Sequence, residues 1–343
     1  MQPSVTIVTP SYNQAQYLEA TMRSVLEQDY PALEYFVIDG ASSDGSQAII
    51  EKYASRLAWW VSERDRGQAE AINKGLQRAS GQYVAWLNSD DLYLPGAIRT
   101  AVESLERNPH LGMVFGDAIS IDAAGRPTHW QTFGKWGLEE FIRFRIICQP
   151  AVVMRRSVLE QAGYLEADYH FMLDHHLWIR MLCHAPAGYI GAGAGKTAVR
   201  PLAAARYHPA AKNVALPRAF ALETGRLMAW MEAQPDLASL IERSRSQVQG
   251  GRYRLQARYL LDGGEAGAAL GAYGRAFVAW PQYTLRHWRR ILYATLCLVH
   301  LNRPLDVLRQ KRTGEQSAHG SPLVQRLQAA FGPEIGDWPG LEL

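Results

Sequence analysis

Asn88-Ser89-Asp90-Asp91 follows the apolar run Tyr83-Val84-Ala85-Trp86-Leu87, so two adjacent carboxylates stand where a strand-forming segment stops. In extended backbone Asn88 and Asp90 share one face, with Asp91 on the other or capping the next element. A buried strand that ends in acid opens on the crevice where α/β sheets bind ligands. Such a group suits a hard cation, because Mg²⁺ or Mn²⁺ is held by one or two carboxylates, waters and the phosphates of a substrate. The bland reading is that Asn, Ser and Asp are ordinary turn and cap residues, with Pro95-Gly96 nearby opening a helix. A second acid ends the strand-like Tyr35-Phe36-Val37-Ile38, where Asp39-Gly40 leads into Ser42-Ser43-Asp44-Gly45-Ser46. That loop lets backbone approach a nucleotide and lets Asp accept from a base or ribose, or it is only a turn. Asp174, in the first turn of a helix with Leu173, Leu177 and Met181 at i, i+4 and i+8, is a general-base candidate or a partner of the helix dipole. His175 and His176 point in different directions on that helix, which argues against a two-histidine metal site.

The elements that carry these residues alternate. Val5 to Thr9 reads as a strand and Leu18, Met22, Val25 and Leu26 as the apolar face of a helix. Next come the Tyr35 strand, a helix from Gln47 to Tyr53, the short strand Trp59-Trp60-Val61, and a helix through Ala69, Ile72 and Leu76. Lys74 on that helix is a phosphate partner or a solvated lysine. After Pro95 come a helix, the strand Gly112 to Phe115 and a hairpin from Ile119 to Gln131. Repeated strand and helix predict a mostly parallel sheet covered on both faces, a nucleotide-binding half. Gly191 to Thr197 fails as a phosphate loop, since Ile190 stands where the first glycine is needed, and is read as a loop entering a strand from Thr197 to Arg200. Beyond Leu216 the chain is Ala-, Leu- and Arg-rich and helical in period, with a tail after Thr313 that holds one short helix.

The 343 residues have an ordinary hydrophobic fraction of 48% and a formal net charge of +3, which excludes wholesale disorder. Three cysteines, Cys148, Cys183 and Cys297, lack paired metal spacing and fit a reducing compartment. No signal sequence is read at the start, and Ile291 to Val299 is too short an apolar run to span a bilayer, so a cytoplasmic protein is expected. Arginines crowd the last third with few acids. That end suits peripheral contact with anionic lipid on the inner membrane face, or is simply a solvated basic face.

Taken in order, Thr9-Pro10-Ser11-Tyr12-Asn13, Ile38-Asp39-Gly40, Asp65-Arg66-Gly67-Gln68 and Trp86-Leu87-Asn88-Ser89-Asp90-Asp91 resemble family 2 glycosyltransferases of the GT-A fold. Gly116-Asp117, Cys148-Gln149-Pro150, Leu173-Asp174 and Arg206-Tyr207-His208-Pro209 extend the resemblance over roughly the first 210 residues. It implies a GT-A domain over 1–215, divided into a donor half (1–117) and an acceptor half (118–215), with a helical extension over 216–343. The expected activity is inverting transfer from a nucleotide-diphosphate sugar to a glycan or lipid-linked acceptor, in bacterial surface polysaccharide synthesis and without nucleic acid. Pro10, Tyr12, Asp39 and Asp65 would line the nucleotide site, Asp39 near the base, with Lys74 close to nucleotide or phosphate. Asn88 departs from the first acid of the family's Asp-x-Asp motif, which leaves it a ribose contact and less metal binding. Ser89 would belong to the nucleotide-sugar site, Asp91 would be oriented toward metal or sugar, Asp90 would hold Mn²⁺ or Mg²⁺, and His208 would reach metal or diphosphate. Asp174 corresponds to the base, and His176 replaces an acid often found two positions later. The rivals are a sugar-phosphate nucleotidyltransferase, whose glycine- and arginine-rich loop is not found, and a non-catalytic carbohydrate-binding protein.

Overall fold

The computed structural model describes residues 2–191, 200–303 and 320–343. The first part alternates as the periodicity predicts: β1 (Val5–Ser11), α1 (Ala15–Leu26), β2 (Leu33–Asp39), α2 (Ser46–Tyr53), β3 (Trp59–Ser62), α3 (Gln68–Arg78) and β4 (Tyr83–Trp86). It continues with β5 (Leu92–Tyr93), α4 (Ala97–Arg107), β6 (Met113–Gly116), β7 (Ala118–Ile121), β8 (Pro127–Gln131), α5 (Leu138–Ile142), β9 (Val152–Arg155), α6 (Arg156–Ala162), α7 (Leu173–His184), β10 (Ala187–Ile190) and β11 (Ala203–Arg206). The expected strand from Thr197 lies outside the described residues except at Arg200.

Seven strands form the main sheet in the order β10-β6-β9-β4-β1-β2-β3. Its pairs are parallel except those of β9, which runs antiparallel between β4 and β6. A second sheet, β5-β11-β7-β8, includes the expected hairpin as β7 and β8. Every residue of β1 is buried, as a β-branched run covered on both faces requires. Helix α3 lies directly on this strand, for a Cβ on Gly75 would come within 2.4 Å of Val8 Cγ1. Trp86 of β4 stacks on Trp178 of α7, centroids 5.1 Å apart and planes 20° apart. Asp90 lies four residues beyond Trp86, and Asp174 one helical turn before Trp178, so this buried pair fixes the two acid-bearing ends relative to each other.

The expected extension divides in space. Helices α8 (Lys212–Ala215), α9 (Pro217–Glu232), α10 (Pro235–Asp262), α11 (Ala266–Ala279), α12 (Pro281–Leu285) and α13 (Trp288–Leu298) follow β11. Leu227, Met231, Val248, Leu255 and Tyr273 from these helices share one apolar core with Trp86, Phe115, Phe141 and Trp178. The tail instead returns to the second sheet: Leu327 and Phe331 of α14 (Pro322–Phe331), with Ile335 and Leu341, pack on Leu92, Ile119, Ile121 and Ala204. No described helix is long and apolar enough to cross a membrane.

Candidate active site

The turn after β4 is held from both sides. Leu87 N–H still donates to Val8 O, and Asp91 N–H closes the turn on Asn88 O (3.1 Å). Thr21 of α1 places its hydroxyl 2.9 and 2.8 Å from the carbonyl oxygens of Ser89 and Asp91. The four turn residues then part. Asp90 keeps a partly exposed carboxylate, one oxygen of which lies 3.0 Å from His208 Nε2. Asp91 is buried and accepts Arg206 N–H at Oδ1 (2.9 Å) and Asn88 Nδ2–H at Oδ2 (3.3 Å). The expected turn of Asp91 toward metal or sugar is therefore not what its side chain does here; it pins β11. Burial, reinforced by the Asp90 carboxylate, pushes the Asp91 carboxyl well up. Ser89 is buried.

Asn88 is the hub of an amide chain. Its Oδ1 accepts Gln68 Nε2–H (2.7 Å) and its Nδ2 also donates to Gln149 Oε1 (3.1 Å). Gln149 in turn donates to Trp86 O (2.9 Å), and Lys212 Nζ donates to Gln68 Oε1 (2.8 Å). Lys212 thus joins α8 to the end of β4, in the field of Glu223, Asp65 and Asp90, although burial holds its ammonium below the usual range. Nothing in the spacing of the chain marks Lys212 or Gln68 as partners; that proximity arises when α8 folds over α3. Arg206, two residues before His208, turns inward. Its buried guanidinium donates to the carbonyl oxygens of Asp90, Asp122, Ala123 and Gly340. Tyr17 lies beneath Arg206, 4.8 Å from guanidinium to ring centroid, and beside the His208 ring at 4.7 Å.

Beyond β1 and β2 a second group of expected site residues gathers. Tyr12 is 64% exposed, and Pro10 is buried in β1. A Cβ on Gly40 would meet Asp65 Oδ2 at 2.8 Å and Tyr12 Cδ2 at 3.2 Å, so Tyr12, Gly40 and Asp65 gather around one space. Asp39 is wholly buried and ties its own loop, accepting Ser42 N–H, Ser42 Oγ–H and Ser62 Oγ–H at 2.9, 2.6 and 2.6 Å. Lys74 is ion-paired with Glu63 at 2.5 Å.

Asp174 sits in the first turn of α7, its Oδ1 accepting His175 N–H (2.7 Å). Burial, with a smaller push from Glu223, raises its carboxyl to about 6 against that hydrogen bond. This is the range of a general base working near neutrality. The loop before it is built by a residue that sequence reasoning missed. Buried Glu223 of α9 accepts the backbone N–H groups of His170 (3.0 Å), Phe171 (2.7 Å) and Met172 (2.5 Å). Its only sequence signal is a carboxylate among apolar residues of a helix. His175 bonds Phe141 O through Nε2 (2.9 Å), whereas His176 stacks on Tyr169, so the adjacent rings have separate surroundings.

The model for glycosyl transferase family 2 fits residues 6–163. An uncharacterized glycosyltransferase of Mycobacterium tuberculosis (strain ATCC 25618 / H37Rv), Rv1514c, is 34% identical over 185 residues, covering 52% of this chain and 68% of that protein. The chain belongs to glycosyltransferase family 2. TuaG of Bacillus subtilis (strain 168), a glycosyltransferase named for teichuronic acid biosynthesis, is 39% identical over 105 residues, 30% of this chain. The matched part spans 42% of that protein's length. Among solved structures, S. aureus TarS 1-349 superposes with a TM-score of 0.58 at 18% identity, over 91% of this chain and 90% of that one. A mannosyltransferase of Pyrobaculum calidifontis, solved with GDP-Man and Mn²⁺, gives 0.53 at 21% identity, over 88% and 87%. At these identities the likeness carries the GT-A fold.

Proposed function

We propose that this chain moves a sugar from a nucleoside-diphosphate donor to an acceptor hydroxyl on a glycan or lipid-linked glycan, with inversion, in the synthesis of a bacterial surface polysaccharide. The observation that carries the reading is the pairing of Asp90 at the end of β4 with His208, with the elevated carboxyl of Asp174 carried on α7, whose Trp178 stacks on Trp86 of β4. The donor set suits a hard cation that is completed by its substrate. Asp90 and His208 offer two ligands, and no cluster of three His, Cys, Asp or Glu occurs among the described residues. Asp90 and His208 would hold Mn²⁺ or Mg²⁺, which supplies charge to neutralise the departing diphosphate. TuaG's name supports the polysaccharide role, and the mannosyltransferase solved with Mn²⁺ supports the cation.

The chain's own groups divide the work. Tyr12, Gly40 and Asp65 form the wall against which the nucleoside lies, with Pro10 beneath and Asp39 fixing the loop. Asn88 holds Gln68 and Gln149 in place, and through Gln68 it orients Lys212 as a second cation for diphosphate oxygens. Asp174 takes the proton of the acceptor hydroxyl as its oxygen attacks the anomeric carbon from the face opposite the leaving diphosphate. Calorimetry with UDP, dTDP and GDP, each with and without Mn²⁺, tests the donor site. Binding of one nucleotide that needs Mn²⁺ and weakens in Asp90→Ala supports the reading and names the donor class. Folded parent protein that binds none of the three overturns it.

A further inference from the structure

We propose that the outer face of α13, with the end of α12, docks on an anionic lipid surface. Helix α13 is amphipathic in an unusual sense, because both of its faces carry apolar residues. Ala294 is buried, and Ile291 and Tyr293 pack on the shared core, so the inner face is already satisfied. The outer face still shows Trp288 (54% exposed), Leu292 (47%) and Val299 (53%) at i, i+4 and i+11, extended by Leu285 (55%). Four large apolar side chains this exposed within one 15-residue segment are costly to leave in water.

Charge selects the occupant. Residues 266–303 contain five arginines, Arg275, Arg286, Arg289, Arg290 and Arg303, and no aspartate or glutamate. Arg286 and Arg289 are exposed beside the stripe, while Arg290 is engaged by Asp262 at 3.1 Å. A second copy meeting this face would set arginine against arginine. An anionic headgroup layer accepts the arginines while the acyl boundary takes Trp288 and Leu292, and tryptophan favours that depth. The placement is independent of the catalytic reading, since no residue of the stripe is among the site residues described above.

Co-sedimentation of the intact protein with vesicles tests it, comparing pure phosphatidylcholine with phosphatidylcholine containing roughly a third phosphatidylglycerol. The parent is expected to pellet with anionic vesicles, to stay in solution with neutral ones, and to be released by high salt. Arg286→Gln and Arg289→Gln each weaken binding by roughly fivefold, the worth of one basic residue near an anionic surface. The double variant Trp288→Ser with Leu292→Ser leaves charge unchanged and also loses binding. All four positions are exposed, so unchanged melting temperatures verify that the variants remain folded. A parent that ignores anionic vesicles overturns the proposal, as do variants that pellet like the parent. A parent that dimerises through this face without lipid, and is made monomeric by the double variant, assigns the face to a second copy and overturns it as well.

Discussion

Asp174→Asn separates two consequences of one carboxyl that folding withdraws from water. Its pKa rises from 3.8 to about 6 in the folded protein. The folded state therefore binds this proton more tightly than the unfolded chain does. Stability from that proton is complete below pH 3.8 and is lost as pH climbs through about 6. At about 1.4 kcal/mol per pH unit, the ionised side chain costs folding about 3 kcal/mol at neutral pH as an upper figure. Asparagine retains the Oδ1 that accepts His175 N–H and carries no charge to desolvate. Urea unfolding of both proteins from pH 4 to pH 8 should show matching stability at the acid end and an asparagine variant that gains steadily on the parent toward neutrality. Turnover should fall by roughly 10²- to 10⁴-fold with nucleotide affinity retained. A stability difference that stays flat across this range would refute the desolvation argument. Undiminished turnover would remove Asp174 as the base.

Two further substitutions probe how the site is built. Glu223→Gln leaves three backbone N–H groups sharing a neutral acceptor, which should cost about 1.5–3 kcal/mol in a thermal or urea melt. Because Glu223 also raises the Asp174 carboxyl, the acid limb of the pH–rate profile should move to lower pH while nucleotide affinity holds; an unmoved limb would reduce Glu223 to a fold contact. Asn88→Asp restores the acid of the Asp-x-Asp pattern but faces Asp91 Oδ2 and Gln149 Oε1 with no donor. It should melt lower by about 1–3 kcal/mol equivalent without metal and recover more than the parent on adding Mn²⁺; metal-free melting equal to the parent's would contradict the network.

The sequence by itself determined which segments are strands and helices, and that two acids end β4 and one opens α7. These are local consequences of periodicity, β-branched runs and turn residues, and they survive whatever the rest of the chain does. The ordered motifs also carried the family, because residues around a donor recur at fixed places along the strands. Only the tertiary structure decided how those residues divide. Asp90 and Asp91 are neighbours in sequence, yet one faces His208 and the other pins the backbone of Arg206, because the turn between β4 and β5 points successive side chains to opposite sides. The same holds for Arg206 and His208: His208 reaches Asp90 while the Arg206 guanidinium is consumed by four carbonyl oxygens. Lys212, Glu223 and the tail on the second sheet were illegible for a related reason. Their partners lie 50 or more residues away, and a charged group on a helix carries no local signal of whether water or a distant loop will satisfy it.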